Sequence, residues 1–251
     1  MLKEDIETLL KENGIENARF EAKELHNAFS GEELKTAIKR RIDGEPLQYI
    51  LGEWEFYSLP FIVGEGVLIP RPETELLVDL ALEEIKEGSN VIDLCSGSGA
   101  IAIAIAKNSK ATVYALEKHE KAFSFLEKNV ALNNAKVKLI KEDLFEFLPQ
   151  DKFDIIISNP PYIKTAVLDS LQKEVKREPM SALDGGEDGL IFYRHIAKLS
   201  KCLNNGGKIM VEIGFDQAEA VQEIFKQNGL VPKAYKDLSG VQRVIIGTLP
   251  R

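Results

Sequence analysis

The feature that most limits the fold is a change of rhythm at Asn90. From there, strand-like and helix-like segments alternate: NVIDLC, GAIAIAIAK, ATVYALE, HEKAFSFLEKNVALN, AKVKLIKED, KFDIIISN, and later GGKIMVEIG and FDQAEAVQEIFKQNG. NVIDLC reads as a buried strand, and GAIAIAIAK as a helix packed through small residues. Such alternation predicts a parallel, doubly wound α/β sheet with right-handed crossovers. The chain closes with LVPKAYKD and VQRVIIGTL, separated only by Leu238-Ser239-Gly240, which predicts an antiparallel hairpin on the sheet's edge.

Upstream the patterning differs. Over residues 1–43, Leu2, Ile6, Leu9 and Leu10 recur at helical spacing, as do Ala18, Ala22, Leu25 and Phe29, then Leu34, Ile38 and Ile42. This predicts a small helical unit punctuated at Gly14 and Ser30-Gly31. Residues 44–70 are rich in aromatic and β-branched residues with Gly and Pro breaks, which predicts short strands and hairpins linking two units. Next comes RPETELLVDLALEEIK, where Pro72 suits a first helical turn and Glu73 and Glu75 suit the positive end of the helix dipole.

Charge and cysteine usage narrow the function classes. The net charge is −8, and residues 1–66 alone hold fourteen acidic and eight basic residues, a balance that argues against a surface built to grip nucleic-acid phosphates. The N-terminus lacks the apolar core of a signal peptide, and no run of about 18 apolar residues suggests a membrane span. Cys95 and Cys202 stand far apart and read as free thiols in a reducing cytosol. His26, His119 and His195 lack metal-ligand spacing, so no metal site is expected.

The first strand of the alternating region runs into Asp93-Leu94-Cys95-Ser96-Gly97-Ser98-Gly99. Glycines there let backbone turn sharply and approach a ligand, and the following helix points free amides into the same space. Glu117 ends the next strand, where a carboxylate can accept both hydroxyl hydrogen bonds of a ribose. NAD and S-adenosylmethionine both present that ribose. Asp93, expected near the mouth of the loop, suits the ammonium of a methionine moiety better than a pyrophosphate. Asp143 after the third strand can accept from an adenine amino group, with Leu144 or Phe145 covering the ring.

The fourth strand ends in Asn159-Pro160-Pro161-Tyr162. Two prolines hold a stiff extended path and leave carbonyls free to face a ligand. An amide or aromatic amine nitrogen is a poor nucleophile because its lone pair is delocalised. The Asn159 side-chain oxygen and the Pro160 carbonyl would hold its two N–H bonds, aiming it at a methyl donor, and Tyr162 would offer an aromatic face to a planar acceptor.

These stretches resemble the protein-(glutamine-N) methyltransferases that modify peptide chain release factors, the HemK/PrmC family. The resemblance rests on EPLQYILGEWEFY, VLIPRPETELLV, DLCSGSG, NPPY, the segment Glu178–Leu190 with its G-G-E-D-G loop, and DLSGVQRVIIG. It covers essentially the whole chain. N-P-P-Y is shared with amino-directed DNA and RNA methyltransferases, whereas IPRPETE and G-G-E-D-G are far more specific. The resemblance implies a class I, Rossmann-like methyltransferase domain over 71–251, a strand-and-hairpin linker over 44–70 and a partner-docking helical domain over 1–43. It implies contacts with S-adenosylmethionine (product S-adenosylhomocysteine) at Asp93, Leu94, Cys95, Ser96, Gly97, Gly99, Glu117, Asp143, Leu144 and Asn159. It implies acceptor contacts at Asn159, Pro160, Pro161 and Tyr162, the acceptor being the glutamine of a release factor's Gly-Gly-Gln loop. A cytoplasmic monomer without membrane or direct nucleic-acid partners is expected.

Three other readings compete. A nucleic-acid amino methyltransferase shares the loop and N-P-P-Y, but the acidic total counts against it. An NAD-dependent oxidoreductase leaves N-P-P-Y unused. A non-catalytic binding module leaves the complete acceptor motif without a purpose.

Overall fold

The computed structural model describes residues 2–251. The N-terminal part holds α1 (Lys3–Glu12), α2 (Ala18–Ala28), α3 (Gly31–Ile42) and the short α4 (Leu47–Leu51). Their apolar stripes meet in one cluster that includes Ile6, Leu10, Ala22, Leu25, Leu34, Ile38, Leu47 and Ile50. Burying Leu47, Tyr49 and Ile50 makes LQYIL a helical turn, where the aromatic and β-branched composition predicts a strand. Gly52, at φ 78°, then turns the chain into β1 (Glu53–Phe56), which pairs antiparallel with β2 (Leu59–Ile62).

That hairpin is pinned to the part of the chain that forms the large sheet. Phe56 and Phe61 are buried in the main core. The Tyr57 amide donates to Glu75 and its hydroxyl to Asp79, both on α5 (Glu75–Glu84). Pro72 belongs to a 3₁₀ turn, Pro72–Thr74, that leads straight into α5. Arg41, buried at the end of α3, donates to Glu21 and also reaches Glu174 on the far side of the sequence. This ties the first helices to the segment after N-P-P-Y.

The sheet contains β3 (Asn90–Leu94), β4 (Thr112–Leu116), β5 (Val137–Ile140), β6 (Phe153–Ser158), β7 (Leu203–Glu212), β8 (Val231–Lys236) and β9 (Gln242–Thr248). Its spatial order is β5-β4-β3-β6-β7-β9-β8. The first five strands are parallel, and β9 runs antiparallel to both of its neighbours. The closing hairpin exists as expected, but only β8 lies at the edge; β9 inserts between β8 and β7. Its Val244, Ile245 and Ile246 are buried, which suits an interior strand, whereas β8 carries Pro232 and exposed lysines.

Helices α6 (Ala100–Asn108), α7 (Glu120–Leu132), α8 (Ile191–Lys198) and α9 (Ala218–Gln227) complete the chain. Alternate strand residues serve two separate cores. Val91, Ile155, Ile157 and Met210 join the cluster under α5 and α6, while Ile92, Ile156, Ile209 and Val211 join the cluster with α8 and α9. The sequence patterning assigns no element to the α8 segment; it buries Tyr193, Ile196 and Ala197. No described helix is long and apolar enough to cross a membrane.

Candidate functional site

Strand register builds the site. Leu94 is paired with Leu116 on one side and Ser158 on the other, and Ser158 with Val211. The next residues, Cys95, Glu117, Asn159 and Glu212, therefore stand in one row at the sheet's carboxyl edge, Glu212 as the last residue of β7. Strand order reverses here: β3 is followed in sequence by a neighbour on one side, β4, and later by a neighbour on the other, β6. Open α/β sheets place their ligand crevice at such a switch point.

One cleft gathers most of the expected residues. Cys95, Ser96, Gly97, Glu117, Asp143, Leu144, Asn159 and Pro161 line it. Gly97, at φ 54°, has open space where a Cβ would stand, so backbone faces the cleft there. At Gly99 a Cβ would lie 2.4 Å from Leu126 Cδ1, so glycine is needed for α6 to start so close to α7. Cys95 holds φ 57° without being glycine, a strained conformation in the same loop. Burial pushes its thiol well above the ordinary value, which keeps it neutral.

Glu117 is 5% exposed and braces the loop. One of its oxygens accepts from the Gly97 amide at 2.9 Å and the other from the His119 amide at 2.7 Å. Each oxygen keeps a second lone pair, which is what a vicinal diol needs. Asp143 accepts from Lys118 at 2.6 Å and from the Phe145 amide at 3.0 Å, and the Lys118 ammonium holds its carboxyl below the usual range. Leu144 is buried, so it offers only an edge to the cleft, while Phe145 is more open and packs against Phe192.

Asp93 departs from expectation. It is 1% exposed and lies outside the cleft wall rather than near the mouth. The reason is the period of two along β3: Asp93 shares the face of Val91, beneath the loop and α6. Neither carboxylate oxygen has a hydrogen-bond partner among the described residues. Burial raises its pKa to about 8, and the charge of Glu117 adds to that. Leu94 and Gly99 likewise lie under the cleft rather than on its wall.

On the acceptor side, Asn159 donates through Nδ2 to the Thr74 hydroxyl at 3.1 Å, and that hydroxyl donates to Glu212 at 2.6 Å. Its Oδ1 accepts no hydrogen bond among the described residues, nor does the Pro160 carbonyl. Pro160 and Tyr162 are not part of the cleft wall. The Tyr162 carbonyl accepts from Gln217 Nε2 at 2.9 Å, and burial raises its phenol to about 12. Gln217 also donates to the Gly189 carbonyl and accepts from the Gly214 amide, so both ends of its amide are held.

The G-G-E-D-G loop is thus a backbone clamp on N-P-P-Y. At Gly189, φ 76°, a Cβ would stand 2.5 Å from the Tyr162 oxygen and 2.7 Å from Gln217 Nε2. Gly189→Ala is expected to slow turnover by about tenfold while changing affinity for the methyl donor by less than about twofold, because it moves the acceptor segment and not the glycine loop. Steady-state kinetics beside calorimetry would check this, and a loss confined to donor affinity would be the wrong pattern.

Several cleft residues have no role that the sequence motifs assign. Thr74, Arg71, Pro179, Ser181 and Ala182 lie in the cleft wall. Arg71 pairs with the buried Glu178, whose other oxygen accepts from the Ile69 amide. The two most distinctive stretches, IPRPETE and the one opening at Glu178, meet here, and their distinctiveness was the available signal.

The chain has relatives among known proteins. A family described as "Methyltransferase small domain" matches residues 72–206. The release factor glutamine methyltransferase of Thermodesulfovibrio yellowstonii is 47% identical over 222 residues, spanning 85% of this chain and 80% of that protein. The protein of the same name from Geobacter sulfurreducens is 42% identical over 263 residues, spanning 96% of this chain and 93% of that protein. In fold, a methyltransferase from Pyrococcus furiosus superposes with a TM-score of 0.62 at 19% identity, covering 89% of this chain and all of that one.

Proposed function

The chain belongs to the family of release factor glutamine methyltransferases, and from that premise we propose that it methylates the side-chain amide nitrogen of the glutamine in a release factor's Gly-Gly-Gln loop. The single observation that carries this reading is the state of Asn159. Its N–H group is committed to Thr74, and its free oxygen stands in the row that also holds Glu117 and the glycine loop.

The residues fit S-adenosylmethionine as donor. Glu117 would hold the ribose diol, Asp143 the adenine amino group, and the loop from Cys95 to Gly97 the amino-acid part. Two carboxylates, Glu117 and Asp143, line the cleft and disfavour a pyrophosphate there. When bound, the donor supplies a methyl group on a sulfonium that leaves as a neutral thioether.

The chain's own work is positional. Asn159 Oδ1 and the Pro160 carbonyl accept the two N–H bonds of the acceptor amide, pulling its nitrogen toward a pyramidal geometry and stabilising the positive charge that develops there. Once alkylated, the acceptor nitrogen would be acidic, and Asn159 Oδ1 and the Pro160 carbonyl would hold its N–H bonds until the proton passes to water. Tyr162, outside the cleft wall, contributes through the position of its backbone.

The same premise assigns a division of labour: residues 1–43 dock the protein substrate, 44–70 link, and 71–251 carry the transfer. A separate apolar cluster supports a distinct helical unit but carries it on through α4 to Leu51, and the Arg41–Glu174 pair ties that unit to the acceptor segment.

The test offers tritiated S-adenosylmethionine with a release factor, total RNA and duplex DNA in separate reactions. Label is expected on the glutamine of Gly-Gly-Gln and absent from a Gln→Ala release factor. Label on nucleic acid alone would overturn the acceptor assignment and leave only the donor site standing.

A further inference from the structure

We propose that Glu212, acting through the Thr74 hydroxyl, is a positioning residue that decides which end of the Asn159 amide faces the acceptor. The proposal rests on the reading that Asn159 receives the acceptor amide. An asparagine amide has an oxygen end and a nitrogen end of nearly equal shape, and only the oxygen end can accept an N–H bond. Something must choose between them before the acceptor arrives.

The choice follows from counting protons. Glu212 ends β7, one residue past the pairing of Val211 with Ser158, so its carboxylate sits beside Asn159 at the sheet edge. It is 2% exposed, and Thr74 is 4% exposed. The Thr74 hydroxyl owns one proton and gives it to Glu212 Oε2 at 2.6 Å. Only lone pairs then remain on the Thr74 oxygen, so the Asn159 group that meets it at 3.1 Å must be the donor, Nδ2. Oδ1 is thereby turned to the opposite side, without any contact between Glu212 and the acceptor itself.

The device works in one protonation state. With Glu212 protonated, its own O–H turns to Thr74, and the threonine proton turns to Asn159. The amide then rotates, and its NH2 meets the acceptor's N–H bonds head-on. Groups facing Glu212 come from several elements. Glu73 and Thr74 lie on the turn before α5, Asn159 and Tyr162 follow β6, Arg243 is on β9, and Tyr193 of α8 donates to the Glu212 backbone carbonyl at 2.9 Å. Burial raises Glu212 to about 7; Thr74, Arg243 and Asn159 oppose this, and Glu73 adds to it. Because the ionised form is the competent one, orientation is gained as pH rises through that value and lost below it.

The experiment has two arms on the full chain. The first follows the side-chain amide signal of Asn159 by nuclear magnetic resonance, assigned by its disappearance in Asn159→Ala, from about pH 5.5 to 8.5. The signal is expected to titrate in the wild-type protein and to stay still in Glu212→Gln. A signal that does not titrate, or titrates equally in Glu212→Gln, overturns the proposal.

The second arm measures methylation of the release factor. Thr74→Val is expected to lower kcat by about tenfold with KM changed by less than about twofold, Thr74→Ser to restore it, and Glu212→Gln to remove the acid limb of the kcat profile. A wild-type kcat in Thr74→Val also overturns it. Absence of label on the release factor with the amide titration intact would sink the acceptor assignment alone and leave the relay supported.

Discussion

Asn159→Ala is expected to lower methyl transfer by about 10²–10³-fold while affinity for S-adenosylmethionine changes by less than about twofold. The size of the effect comes from what the side chain does in the transition state. Charge develops on an amide nitrogen that was neutral, and a preorganised acceptor aimed at its N–H bond stabilises that change far more than it stabilises the ground state. The donor's other expected contacts, Glu117, Asp143 and the glycine loop, stand on other strands and do not lean on Asn159. The pattern to look for is therefore a fall in kcat with donor binding preserved, read by single-turnover kinetics and calorimetry. Turnover near the wild-type rate would sink the two-acceptor geometry outright. Asn159→Asp makes a second comparison, because it keeps an acceptor toward the substrate but cannot donate to Thr74, whose proton already goes to Glu212.

Glu117→Ala is expected to weaken S-adenosylmethionine binding by about 10²-fold, or about 2.7 kcal/mol. Two losses combine. The ribose diol loses charge-assisted acceptors, and the Gly97 and His119 amides lose the carboxylate that braces the loop. Glu117→Gln keeps one acceptor oxygen and should fall between the two. Calorimetry with S-adenosylhomocysteine reads binding without turnover, and equal affinities for all three proteins would remove Glu117 from the donor site.

Most of the scaffold was legible along the chain because its signals are local. A parallel strand covered on both faces must be apolar throughout, as in Ile155, Ile156 and Ile157. A turn from strand into helix needs positive φ, and Gly97 and Gly99 supply it. Placing Glu117 and Asn159 at strand ends needed only the strands' lengths. The misreadings were equally physical. LQYIL has strand-like composition yet forms α4, because packing against α2 and α3 outweighs a weak local preference. Asp93 looked exposed in a loop motif, but it is still the fourth residue of β3, and alternation turns it inward.

What the sequence by itself determined is the set of functional groups and their order: a glycine loop, a carboxylate after the next strand, an asparagine and two prolines after the fourth. Each depends on its immediate neighbours, and neighbours are what a sequence states. Only the tertiary structure decided that these groups form one row, that β9 slips between β7 and β8, and that Asn159 is turned by Thr74 and Glu212. Thr74 and Glu212 lie 138 residues apart, and Thr74 and Asn159 lie 85 apart. Their meeting depends on the register of β6 against β7 and on the anchoring of the α5 turn beside them. Register is a property of paired strands, set by which faces are buried when the whole sheet closes.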